Sequence, residues 1–262
     1  MVRHSFLDRY RQANSLVHRL DPRLKLLTVL AFVSVTTSTS PRAWPRFLLL
    51  AVLALATIRL ARLPLGQSLR RSAIALPFAG MVALSLFFSQ AGQALWSWRV
   101  LGCELTVTNE GMLLFVSVAV KSWLSVLVSG LLVATTRWPD LLLALRSMRL
   151  PTVLINTLAL MVRYLGVLVD EALRMQAARD SRSAGPGRSV IWRARVLGGM
   201  IGSLFIRSLE RSERIYAAML ARGFAGELRS LTRLSWRARD TWAGMACSLA
   251  LLSAVLIGRA WR

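Results

Sequence analysis

Residues 208–226 read SLERSERIYAAMLARGFAG, and residues 112–134 read MLLFVSVAVKSWLSVLVSGLLVA. On a helix at 100° per residue, Leu209, Ile215, Tyr216, Met219 and Leu220 of the first stretch share an arc of roughly 140°. Arg207, Glu210, Arg211 and Arg214 take the opposite arc, with Glu210 and Arg214 at the supportive i, i+4 spacing. Gly223 then stops the helix, because glycine adopts the left-handed conformation that a C-terminal cap needs. Arg222 stands just before that stop, at the edge of the apolar face, where the plain reading is a cation complementing the helix dipole. The second stretch is apolar over 23 residues apart from Lys121 and scattered small polar side chains, long enough to cross roughly 30 Å of hydrocarbon. A chain holding both kinds of segment is expected to be an all-α polytopic membrane protein that also carries long basic amphipathic helices.

The totals agree. The 262 residues are 55% hydrophobic, yet 34 are basic against 12 acidic. A charge of this sign points either to nucleic acid or to a membrane protein whose charge lies in its loops, and the long Leu-rich runs favour the second. All but Lys25 and Lys121 of the basic residues are arginine, which excludes a Lys-rich solvated tail. Cys103 and Cys247 are too few and too distant for a disulfide framework or a zinc site. The N-terminal residues carry Asp8 and Asp21 and no early apolar run, so no cleavable signal peptide is expected.

In chain order, Asp21 followed by Pro22 marks a helix start. Apolar runs follow at about 24–39, 47–60 (extended by Trp44), 74–88 and 112–134, and a last one at 242–257 is flanked by arginines. These give about five membrane spans. The N-terminal segment and the loop with Arg59, Arg62, Arg70 and Arg71 are basic, whereas residues 92–111, read as a loop, are net acidic. The positive-inside rule therefore places the N-terminus in the cytoplasm, with the chain returning there after the fourth run. The loop carrying Arg42 and Arg46 falls outside, a mild conflict with the rule. Residues 137–240 hold 18 arginines and 8 acidic residues and cannot lie deep in lipid as a whole. Within them 153–169 is almost entirely apolar, which suits interfacial or half-buried helices, and SRSAGPGRS (181–189) is a loop. Helical periodicity resumes over 190–221. The expected organisation is 1–136 (cytoplasmic N-terminal segment and four spans), 137–240 (cytoplasmic or interfacial helices) and 241–262 (last span and tail).

No GxxxxGK[ST] loop is present, so this chain has no cradle for ATP phosphates. His4 and His18 have no carboxylate or thiol at ligand spacing, and no metal site is expected. Asp170, Glu171, Glu210 and Glu213 have arginines nearby and read as solvated helix charges rather than paired catalytic carboxylates. Arg163 and Tyr164 read as structural, pairing with Asp170 or Glu171. Lys121 lies within a span, where a charge is a functional candidate by default; its nearness to the external end makes snorkelling or a partner contact as reasonable.

A second helix-like stretch, DEALRMQAARD (170–180), ends on Ala178-Arg179, as the first ends on Ala221-Arg222. Two such tips suggest two docking points for a two-lobed partner. Together with LDPRLKLL (20–27), PDLLLALRSMRLP (139–151), LALMVRYLGVLVDEALRMQAARDSRS (158–183) and RSLERSERIYAAMLARGF (207–224), they make the chain resemble the transmembrane coupling subunit of energy-coupling factor transporters, of the CbiQ type found in cobalt and nickel uptake. The likeness covers nearly the whole sequence. That family carries Ala-Arg-Gly motifs at the ends of two coupling helices. Ala221-Arg222-Gly223 matches fully, and Ala178-Arg179-Asp180 departs at its third position.

The resemblance implies a non-catalytic subunit of the plasma or inner membrane, holding no cofactor or metal of its own. It implies two CbiO-like ATPase subunits that bind ATP and magnesium, and a CbiM-like substrate-capture membrane subunit, with a small CbiN-like subunit as a possible addition. Nucleic acid is not among the implied partners. Two other readings stand beside it: the same coupling role serving a vitamin, and a basic membrane protein that binds acidic lipid or nucleic acid. The basic residues are dispersed rather than clustered with aromatics, which counts against the last.

Overall fold

A computed structural model describes residues 15–81, 94–100, 103–182, 189–228 and 235–260. The elements are α1 (Pro22–Thr37), α2 (Trp44–Leu60), α3 (Leu65–Ala73), the described part of α4 (76–81), β1 (Ala94–Val100), β2 (Cys103–Thr108), α5 (Asn109–Thr135), α6 (Trp138–Ser147), α7 (Thr152–Arg182), α8 (Val190–Ala221) and α9 (Ala238–Ala260). They form two compact units. One holds Leu145–Arg233; the other holds the described residues up to Ala144 and those from 235 on.

The second unit is a bundle of α1, α2, α5 and α9 with α3 against α5. Its core is formed by Phe32, Phe47, Leu50, Ile58, Leu124 and Leu251, with Leu50 and Leu124 fully buried. Outside, Leu30, Leu48, Val52, Leu249, Leu252 and Leu256 are exposed, a surface that hydrocarbon rather than water would cover. α1 begins as the sequence indicates: Pro22 is its first residue and the Asp21 carboxylate accepts from Arg23 N at 2.8 Å. Asp240 joins the two helix starts, accepting from Asp21 N at 3.0 Å and from Arg237 N at 2.8 Å.

Among the described residues three helices are long and apolar enough to cross a membrane: α5, α7 and α9. The first two apolar runs make helices of 16 and 17 residues. At 1.5 Å per residue each reaches about 25 Å, a little under the hydrocarbon thickness. The third run lies outside the described residues beyond 81.

Residues 92–111 are not the loop expected from the sequence. β1 and β2 pair antiparallel there, with Trp96 opposite Val107, Trp98 opposite Leu105 and Arg99 opposite Glu104. Alternation of period two runs through LWSWRV and ELTVT, with β-branched and aromatic residues that suit a strand. The hairpin corrects the loop expected at 92–111; the other described elements are helices, in keeping with the all-helical class expected of the chain.

Two cations serve α1 from other helices. α1 has no basic residue in its last turn. Arg46 of α2 donates to Val35 O at 3.1 Å, and Lys121 of α5 donates to Thr37 O at 3.1 Å. Carbonyls at a helix C-terminus lack intrahelical partners and carry the negative end of the dipole. Lys121 is therefore a structural cap in this chain.

Candidate ATPase-coupling site

The unit Leu145–Arg233 is built on α7 and α8, of 31 and 32 residues. They run antiparallel, as three contacts along their length show. Near one end, Asn156 of α7 donates to Gly226 O at 2.7 Å and accepts from Leu228 N at 3.4 Å, clamping the chain that leaves α8. Arg146 holds the same segment through Leu228 O at 2.9 Å and Glu227 at 3.1 Å. Midway, Arg207 of α8 meets Glu171 of α7 at 2.8 Å, and Glu171 also accepts from Arg174 at 2.7 Å. Hydrogen bonds from Arg174 and then Arg207 hold the Glu171 carboxyl below the usual carboxylate range. At the far end, Ala178 and Arg179 of α7 line one groove with Trp192, Val196 and Met200 of α8.

The two Ala-Arg motifs therefore lie at opposite ends of the pair. From Val196–Met200, beside Arg179, to Arg222, α8 rises roughly 35 Å.

The ends differ in form. Ala221-Arg222-Gly223 closes α8: Gly223 has φ +77°, its N–H donates to Leu220 O at 2.9 Å, and Phe224 N donates to Met219 O at 3.0 Å. This is a Schellman closure, with glycine in the left-handed position that side chains avoid. Arg222 is the cap residue, exposed, with no ion pair among the described residues. Ala178-Arg179-Asp180 ends nothing. α7 continues through Arg182, and Ser181 Oγ donates to Ala177 O at 2.9 Å. The expected helix end at Ala178-Arg179 is thus corrected, because Asp180 tolerates helical backbone and gives no left-handed stop. Arg179 is half-buried, and its guanidinium makes two hydrogen bonds to one oxygen of the neighbouring Asp180, at 3.0 and 2.6 Å.

Between these ends α8 presents Ile201, Phe205, Leu209, Tyr216 and Leu220, each at least half exposed. Their spacing puts them within a stripe roughly 100° wide, the pattern of a helix made to lie in an apolar groove. Glu210 and Arg214 lie 4.0 Å apart at the expected i, i+4 spacing. Sequence reasoning missed Asn156, whose bonds reach some 70 residues along the chain, and the bridging place of Glu171, which it read as a solvated charge. Arg163 was expected to pair with Asp170 or Glu171; instead its guanidinium stands 6.0 Å from the Tyr164 ring centre. Among the described residues no group of three His, Cys, Asp or Glu side chains could hold a metal ion.

Residues 13–234 match the model of the cobalt transport protein family, CbiQ. This chain belongs to that family. Curated relatives named energy-coupling factor transporter transmembrane protein EcfT include one from Acidaminococcus fermentans, 33% identical over 84% of this chain and 83% of its own length. Another, from Limosilactobacillus fermentum, is 29% identical over 88% of both chains. An uncharacterised protein of Methanocaldococcus jannaschii is 26% identical over 90% of this chain and 80% of its own. These matches cover 84–90% of this chain, more than either unit alone holds.

Proposed function

We propose that this chain is the transmembrane coupling subunit of an energy-coupling factor importer. It joins two ATPase subunits to a membrane subunit that captures the substrate. The observation that carries this reading is the placing of Arg179 and Arg222 at opposite ends of one antiparallel helix pair, roughly 35 Å apart. A single ATPase needs one docking point; two point to a two-lobed partner. Each arginine offers a planar fork that pairs bidentately with a carboxylate and stays charged at any working pH. The exposed stripe of α8 supplies apolar area between them.

In this reading ATP and magnesium are bound by the partner subunits, and this chain holds no cofactor. The bundle, with the third apolar run, supplies five spans, and α7 and α8 lie on the cytoplasmic side. Three features support that side for α7. It packs with α8 rather than within the bundle, it carries Arg163 in its apolar half, and its second half is charged. The boundaries 1–136, 137–240 and 241–262 follow from the same division of labour. The proposed cargo is cobalt or nickel, a substrate passed through the partner membrane subunit rather than held here.

The test is co-purification of the ATPase subunits with wild-type chain and with Arg179→Glu/Arg222→Glu. Leaving a desolvated charge pair unmatched costs about 2–5 kcal/mol, so the doubly substituted chain should lose its ATPases while inserting normally. Retention at wild-type stoichiometry would sink the docking role and leave both arginines as helix-end charges.

A further inference from the structure

The bundle contains a cavity of about 490 Å³. Its walls are apolar: Val29 and Phe32 of α1, Leu53 of α2, Leu131 and Leu132 of α5, and Leu251 of α9. Three arginines, Arg19, Arg237 and Arg239, also line it, and all are exposed. Among the described residues none of these three guanidinium groups has an ion pair. The nearby carboxylates of Asp21 and Asp240 make backbone hydrogen bonds rather than ion pairs with these arginines. Asp240 accepts from two backbone N–H groups through its two oxygens, and Asp21 from one. Lys25, also in the lining, donates to His18 O and Thr135 O, each at 3.2 Å.

We infer that this cavity is a binding site for one anionic phospholipid, its acyl chain between α1, α2, α5 and α9 and its phosphate held by Arg19, Arg237 and Arg239. Water in a cavity of this lining would find few polar partners, and hydrocarbon fits it. Three guanidinium groups without ion pairs among the described residues gather near the starts of α1 and α9, which Asp240 joins. Beside apolar walls they match a ligand with a charged head and a greasy tail. The cavity volume is in the usual range for a small-molecule site. The site rests on the bundle lying in a bilayer and is independent of the ATPase docking proposed above.

The experiment is native mass spectrometry of the full chain purified from mixed micelles holding equal phosphatidylglycerol and phosphatidylcholine. Each arginine near an anionic surface strengthens binding several-fold, so wild type should retain phosphatidylglycerol over phosphatidylcholine by about tenfold or more. Arg19→Gln/Arg237→Gln/Arg239→Gln should bring the ratio near one. The triple lysine variant should keep most of the preference, which separates charge from misfolding. Arg62→Gln/Arg70→Gln/Arg71→Gln removes the same charge elsewhere and should leave the ratio unchanged. Ala246→Trp, which fills the cavity, should reduce both lipids. Equal retention by wild type, or an unchanged ratio in the Arg19/Arg237/Arg239 glutamine variant, would overturn the site. An equal fall in the control variant would reduce it to bulk attraction by net charge. ATPase co-purification measured on the same samples shows whether the coupling reading stands or falls separately.

Discussion

In the bundle, Leu50 and Leu124 are wholly shielded and a dozen apolar residues close around them. In α8, 32 residues long, no described residue is buried, and α7 buries only Ile155 and Asn156. Both regions are helical and rich in leucine, yet only one uses its leucines on itself. A long helix without a buried face gains little from its own propensity, so α7 and α8 depend on their mutual contacts and on whatever covers their apolar stripe. The lesson is that the bundle's sequence is constrained by packing within this chain, whereas that of the α7–α8 pair is constrained by surfaces the chain does not contain.

That contrast can be broken by matched substitutions. Leu124→Ala should lower stability in detergent by about 2–5 kcal/mol, as expected for a truncated core leucine. Leu209→Ala, made on the exposed stripe, should change it by less than about 0.5 kcal/mol, while weakening ATPase retention. Thermal denaturation followed by circular dichroism, with co-purification alongside, checks both halves; equal melting losses would erase the distinction. Next in size is Asn156→Ala. It leaves the Leu228 amide and the Gly226 carbonyl without their partner, at a cost of about 1–3 kcal/mol. The loss should be local, read as faster hydrogen exchange across 226–228 with the bundle unchanged. Protection that holds at wild-type level would show the clamp to be incidental. The smallest effect expected is for Lys121→Met, about 1 kcal/mol for one lost cap. Substrate uptake by the assembled transporter should persist; loss of uptake in a stably folded Lys121→Met protein would return this lysine to the functional residues.

How far the sequence could be read follows the same divide. α1 begins at Asp21–Pro22 and α8 spans Val190–Ala221 because their ends are written locally: an aspartate before a proline, Ser189 accepting from Trp192 N, and a glycine at 223. The C-terminal stretch of α7 was misjudged because Asp180 reads as a break in the motif, though nothing in it breaks a helix. The hairpin at 94–108 is hard to read because its alternation is short and the glycines around it suggest a loop. Arg46, Lys121 and Asn156 have no local signature at all. Each acts on a backbone group brought near by the fold, 11, 84 and about 70 residues away.

The unbroken run of α8 has a mechanical consequence. α8 is held just beyond its last arginine, by Asn156 and Arg146 on 226–228, and its start lies roughly 35 Å away, so the helix is a lever arm hinged at its Arg222 end. A tilt of about 10° about that held end would carry the start of α8 through roughly 6 Å, about the length of one helical turn. The rigid closure at Gly223 keeps that arm from fraying at its held end. A small angular change at one tip of the pair would thus appear at the other as a displacement of about one helical turn.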